Sequence, residues 1–201
     1  MAQLWLEPRL GAIAEMAGPV DISVTAADEP PNLKRSPFDI CLFYTENLEK
    51  TQSRLFNEEI EPVCTPAIAK TLHEPLDLMH VRCIPDVVWT DWSIWAAAKM
   101  PGGVFTPDGP AFSLYSVAVR QALNGVGVLI GRKSLLREHL ATGALVAPFN
   151  APTPLGLTLA TWMLPESRSN SVVKAVADAL QAMALTPKTL EHQPSPKSRC
   201  S

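Results

Sequence analysis

The sequence predicts an α/β protein with a largely parallel sheet. Two observations in residues 112–149 carry that prediction: apolar spacing alternates between helical and strand-like, and each helix has a glycine stop. The segment reads FSLYSVAVRQALNGVGVLIGRKSLLREHLATGALVAPF. Ser113 is placed to cap a first helix, since its hydroxyl can accept a bond from a first-turn N–H. Tyr115, Val119, Ala122 and Leu123 follow at helical spacing, and Asn124-Gly125 supplies a left-handed stop. Val126, Val128, Leu129 and Ile130 form an apolar run without polar alternation, as in a strand covered on both faces. Leu135, Leu136 and Leu140 mark the next helix, and Gly143 ends it before a short strand at Leu145-Val146. Helices alternating with buried strands imply layered α/β packing.

The rest of the chain follows in order. Leu4, Leu6, Leu10, Ile13 and Met16 fit one face of a helix, with Pro8 acceptable only near its first turn and Gly18-Pro19 closing it. Residues 20–24 (VDISV) alternate like a strand, and 38–44 (FDICLFY) read as another. The EPPNLKRSP stretch between them is a turn or a single helical turn. Residues 54–64 (RLFNEEIEPVC) read as a strand pair that turns at Asn57-Glu58-Glu59. Thr65-Pro66 opens a short helix, and Asp91 is placed to cap a helix over 92–99 that Pro101-Gly102-Gly103 stops. Residues 104–106 form a short strand and 155–164 a longer one. The last helix starts at Ser171, with Val172, Val173, Val176, Leu180 and Met183 on one face. Beyond Pro187 the apolar period is lost, and 189–201 read as a disordered tail.

Composition narrows the function. The chain has 201 residues, 47% of them hydrophobic, which is enough to bury a sizeable core in one or two small domains. A formal net charge of −3 argues against a nucleic-acid-binding surface on this chain. Cys41, Cys64, Cys83 and Cys200 lack CxxC spacing and read as buried free thiols in a reducing compartment. No secretory signal and no run of membrane-spanning length is evident, so a cytoplasmic protein without membrane contact is expected.

The motifs that suggest enzymes fail in detail. GVGVLIGRKS has Arg132 where a phosphate loop needs Gly-Lys-Ser/Thr adjoining. The Gly125/Gly127 pair precedes its strand, whereas a dinucleotide fingerprint follows one. His73, His80, His139 and His192 are scattered and read as surface or capping residues, so no metal or cofactor is expected. Glu58, Glu59 and Glu61 read as a solvated acidic turn. Trp89, Trp92 and Trp95 read as core, with an aromatic ligand wall as the alternative. What remains is a binding cleft, in which helix N-termini suit a small anion; Phe112 and Ser113 at a helix start are the leading candidates.

The segments QALNGVGVLIG and RKSLLREHLATGALVAPF, with LWLEPRLGAIAE, FDICLFY, LFNEEIEPVCTPAIA and TDWSIWAAA, resemble the effector-binding domain of LysR-type transcriptional regulators. The likeness covers roughly residues 3–183, and its glycine-cleavage-activator-like branch is the most similar. This resemblance implies two Rossmann-like subdomains of the type II periplasmic-binding-protein kind, joined by two crossovers. Subdomain I would be 1–61 with 160–188, and subdomain II 62–159. The family's first strand of subdomain I, its hydroxyl-bearing loop and its winged helix-turn-helix have no counterpart in these residues.

The resemblance also implies a ligand site at Ala27, Asp28, Tyr44, Thr45 and Thr65, beside Phe112 and Ser113. A cap, turn or packing role is the competing reading for each. A small effector, for which helix N-termini favour an anionic group, and a homodimer are the implied partners. DNA would be reached only through an N-terminal domain absent from this chain. The alternatives are a stand-alone solute-binding module or a truncated partner that heterodimerises with an intact regulator.

Overall fold

The structure, a computed structural model, describes residues 1–27 and 29–185. Strands β1 (Cys41–Thr45), β2 (Gln52–Val63), β3 (Cys83–Ile84), β4 (Val128–Arg132) and β5 (Thr153–Trp162) form one sheet in the order β1-β5-β2-β4-β3. Its helices are α1 (Leu10–Ala17), α2 (Pro66–Ala69), α3 (Asp91–Lys99), α4 (Tyr115–Leu123), α5 (Lys133–Ala141), α6 (Pro165–Arg168) and α7 (Ser171–Leu185).

The expectation of a largely parallel sheet is corrected. Only β3 and β4 pair in parallel, and the other three pairings are antiparallel. A strand buried on both faces has the same apolar run in either orientation, so the sequence could not separate them. The burial itself is as read: all five residues of β4 are buried. Val128 and Ile130 join a cluster with Trp92 and Trp95 of α3. Leu129 faces the opposite way, toward Ala118, Val119 and Ala122 of α4 and Leu136 of α5. A third cluster packs Trp5 and Ile13 against Leu55, Leu159 and Leu180, joining α1 and α7 to β2 and β5.

Several local readings change. Residues 54–63 are not a hairpin but part of one continuous strand, β2, and Cys64 follows just past its end. The pairing of β2 with β5 slips twice, between Arg54 and Phe56 and between Asn57 and Glu59. Opposite the second slip β5 carries Gly156 at φ +76°, a conformation that costs glycine nothing. A bulged strand and a turn both break strict alternation, and that is how the sequence misled. Residues 20–24 form no strand. The outer edge of β1 has no ladder partner among the described residues, and an isolated strand cannot satisfy its own N–H and C=O groups. Residues 104–106 also lack a ladder, and Val146 makes only a single bridge to Cys64.

The first helix is shorter than its apolar spacing suggests. A wide turn at Ala2–Leu6 and a tight turn at Glu7–Arg9 precede α1, with Pro8 in the tight turn, where its missing N–H is harmless. Met16 and Val172, both read as core-facing, are about half exposed at 53% and 47%. The glycine stops hold, with Gly125 and Gly143 at φ +77° and +72°. Among the described residues no helix is long and apolar enough to cross a membrane. Residues 189–201, expected to be a disordered tail, and Cys200 lie outside the described residues.

Close approach of backbones explains another glycine. A Cβ on Gly127 would lie 2.5 Å from the Arg82 carbonyl oxygen, because the chain leading into β4 runs tight against the one leading into β3. Gly127→Ala should therefore cost about 1–3 kcal/mol, as overpacking does, measured as a lower urea midpoint at unchanged m-value.

Candidate functional site

Around the end of β4 and the start of α5 gather the most heavily buried charged groups among the described residues. Arg132 closes β4 and Asp91 opens α3, and both are about 2% exposed. Arg132 Nε donates to Asp91 Oδ2 at 2.7 Å, and Nη2 donates to Oδ1 at 3.0 Å. This two-pronged geometry suits the planar guanidinium. The guanidinium also lies over the Trp89 ring, 3.5 Å from its centroid, and 5.1 Å from that of Tyr44. Burial works against the charge on Arg132, yet the hydrogen bonds and charge of Asp91 outweigh it and raise the pKa. Tyr115 fixes the strand end: it donates to the Ile130 carbonyl at 3.2 Å, accepts the Arg132 N–H at 3.0 Å, and packs 4.8 Å from Trp89.

A second buried group lies alongside. Glu58, 1% exposed, accepts four hydrogen bonds. Tyr44 Oη donates at 2.7 Å, the Ser134 N–H at 3.1 Å and the Glu59 N–H at 3.2 Å, and the Ser134 hydroxyl completes the set. Two of these donors belong to the first turn of α5, so the carboxylate sits where the helix dipole favours an anion. Burial raises the pKa of both Tyr44 and Tyr115, and Glu58 reinforces the shift at Tyr44, so the two phenols remain protonated donors. A cavity of about 260 Å³ opens beside the cluster, lined by Phe56, Glu58, Lys133, Ser134 and Arg137 among others.

The reading of Glu58, Glu59 and Glu61 as a solvated turn is overturned. Glu58 and Glu61 are buried, at 1% and 4% exposure, because the strand continues through them beneath α5. Lys133 Nζ lies 3.2 Å from Glu59 and 3.8 Å from Glu61. Asp91 does not cap α3; Thr90 holds the cap position, and Asp86 accepts the Trp92 N–H at 3.0 Å.

Of the residues singled out from sequence, Tyr44 lies in the buried cluster. Thr45 ends β1, and its hydroxyl donates to the Asn47 carbonyl at 2.9 Å. Thr65 occupies the cap position of α2 without a side-chain cap bond, and a Cβ on Gly125 would lie 4.0 Å from its Oγ1. Phe112 packs on the cluster around Ile84 and Val119. Ser113 is exposed and does not cap α4; the cap position belongs to Leu114, with no side-chain cap bond. The helix starts one turn-residue later than the Ser113 reading assumed, which carries the hydroxyl out of reach. Ala27 is exposed, and Asp28 lies outside the described residues. Sequence reasoning missed Glu58, Trp89, Asp91, Tyr115, Arg132 and Ser134 as members of one cluster. Trp92 and Trp95 are core, as read, with Trp92 Nε1 donating to the Ile84 carbonyl at 2.8 Å. Cys41, Cys64 and Cys83 are buried and free, and burial pushes Cys64 up to about 11 and Cys83 up to about 12.

The fold is that of LysR effector-binding domains, a periplasmic-binding-protein-like α/β architecture. It matches the effector domain of the transcriptional regulator AmpR of Pseudomonas aeruginosa with a TM-score of 0.72 at 20% identity, over 91% of this chain and 90% of that one. It matches CrgA, a LysR-type transcriptional regulator from Neisseria meningitidis, with a TM-score of 0.74 at 18% identity, over 92% of this chain and 66% of that one. The LysR substrate binding domain matches residues 1–184, and the chain belongs to that family. Its relatives include the HTH-type transcriptional regulator DsdC of Escherichia coli K12, 32% identical over 76% of this chain and 53% of that protein. The glycine cleavage system transcriptional activator of the same strain is 26% identical over 73% of this chain and 50% of that protein. The chain spans about half the length of these curated relatives.

Two substitutions probe the charges. Asp91→Asn leaves a buried guanidinium without its counter-charge and should cost about 3–5 kcal/mol in urea unfolding at pH 7. Glu61 has its pKa raised, chiefly by burial with Glu59 adding and Lys133 opposing. A raised folded pKa favours folding at low pH and penalises it as pH rises through that value. Glu61→Gln should therefore gain stability relative to the parent at pH 7, and that gain should shrink toward pH 4 in paired thermal melts.

Proposed function

We propose that this chain is the ligand-sensing domain of a LysR-type regulator, without enzymatic activity, working in the cytoplasm. In this reading residues 1–61 with 160–188 and residues 62–159 are two subdomains that flank a cleft. The observation that carries it is the buried cluster linking Tyr44 of β1 to Glu58, Ser134 and Arg132. Tyr44 comes from the first proposed subdomain and Arg132 and Ser134 from the second, so a change at either end shifts the relation between them. A small molecule that binds one arrangement better than the other moves the equilibrium by its differential affinity alone.

The effector is a small metabolite, with an anionic group facing the helix starts near Ser113 and Thr65. Ala27, Asp28, Tyr44, Thr45 and Phe112 complete the site. The protein sits in the branch of the glycine cleavage activator and associates as a homodimer. DNA contact comes through a separate N-terminal domain outside these residues. That relative's role as activator of the glycine cleavage system makes amino acids the natural first panel.

The test is thermal melting of the chain against amino acids and other small carboxylates, then calorimetry on any hit. A ligand at about 100 times its Kd should add about 2.7 kcal/mol and raise Tm visibly. Ser113→Ala should leave the unliganded Tm nearly unchanged, since this hydroxyl makes no cap bond, while weakening affinity roughly three- to tenfold. A hit whose affinity is untouched by Ser113→Ala removes that residue from the site, and a panel without any hit counts against the sensing role.

A further inference from the structure

The long strands β2 and β5 run side by side, but the core they cross is not continuous. Leu55 and Phe56 of β2 and Leu159 of β5 pack with Trp5, Ile13 and Leu180. Ile60 of β2 and Leu155 and Leu157 of β5 pack instead with Trp92 and Trp95. The change of core falls at the second slip in the ladder. Asn57 pairs with Thr158 and Glu59 with Pro154, so Glu58 alone faces three residues of β5, Leu155, Gly156 and Leu157. Gly156 is exposed at φ +76°, and a Cβ on it would meet nothing within 4 Å. Both strands are therefore loosest at one level, where a rotation breaks few ladder bonds and little packing.

Glu58 holds that level shut. Its carboxylate sits in the slip and is bonded from both sides. Tyr44 donates from β1, and its ring packs with the core around Trp5. Ser134 donates from α5, whose Leu136 packs with Val63 and Ile84 on the other side. The two sides also touch where Arg132 meets the Tyr44 ring, and at Leu135, Leu4, Trp89 and Tyr115. Those apolar contacts can slide, whereas the bonds to Glu58 are either made or broken.

We propose that residues 57–59 with 155–157 form a hinge, and that the Tyr44–Glu58–Ser134 bonds are its latch. The hinge rests on the two-subdomain reading above; it adds the level at which the subdomains turn and the group that holds them. When the latch opens, the carboxylate exchanges protein donors for water, and the two cores turn without either one unfolding.

The experiment is amide hydrogen exchange, followed residue by residue by NMR on the whole chain with no ligand added. The Glu59 and Ser134 N–H groups donate to the carboxylate itself, so both report its release. In the parent both should exchange at least about tenfold faster than the Val128 N–H, bonded to the Arg82 carbonyl, and than Ala179 and Leu180 in α7. Tyr44→Phe removes a donor without touching either amide. It should speed both about tenfold, the loss expected for a hydrogen bond to a charged group, and leave Val128 and α7 at parent rates. Ser134→Ala should do the same at Glu59. Thr142→Ala, which removes a hydroxyl bond at the far end of α5, should change none of these rates. Equal exchange of all these amides in the parent overturns the proposal, because the bonds to Glu58 then open only on global unfolding. So do latch variants that leave Glu59 unchanged, or that speed Val128 and α7 as much. Exchange is read without ligand, so an empty ligand panel leaves the hinge standing, and a uniform exchange pattern leaves the sensing role to the panel.

Discussion

The architecture around the site depends on keeping one buried cation solvated by protein. Arg132 lies at the end of a strand that is covered on both faces, where water cannot reach its guanidinium. A charge in that position is tolerated only with a paired counter-charge and satisfied hydrogen bonds. Asp91 supplies both, and because it is the first residue of α3 it fixes that helix start against the end of β4. Trp89 and Tyr44 bring aromatic faces to the same cation, and Tyr115 ties the strand end to α4. Three separate segments, residues 89–91, β1 and α4, thus converge on one residue.

Glu58 repeats the principle with the opposite sign. Among the described residues two backbone N–H groups and two hydroxyls, rather than a cation, donate to its carboxylate. Helix starts stabilise anions through the same unsatisfied N–H groups, and here the protein's own side chain takes that place. The slip in the β2–β5 ladder is what makes this possible. It occurs at Asn57 to Glu59, where the strand departs from regular pairing and turns a glutamate toward α5. Tyr44 then links the two charged groups, donating to Glu58 while its ring faces Arg132.

A domain that senses small molecules needs parts that can move and a reason for them to move together. Hydrophobic packing alone resists displacement in a diffuse way, whereas a polar network has a few discrete bonded arrangements. The cluster at Tyr44, Glu58, Arg132 and Ser134 is a polar network of this kind, and its Glu58 lies on β2, which pairs with both β5 and β4. The likeness in fold to effector domains of LysR-type regulators fits such an arrangement without specifying its ligand.

By itself the sequence determined the local elements whose cause is local. The helix from Tyr115, the strand at Val128, the helix carrying Leu135 and Leu136, and their glycine stops follow from apolar spacing and backbone freedom within a few residues. The tertiary structure decided everything that rests on a distant partner. Strand direction, the failure of 20–24 to form a strand, and the burial of Glu58 all depend on which strand lies alongside. Asp91 and Arg132 are 41 residues apart in the chain, and nothing near either one announces the other. A charged residue in sequence reads as exposed because exposure is its cheapest state; only a folded neighbour with the opposite charge and the right geometry reverses that.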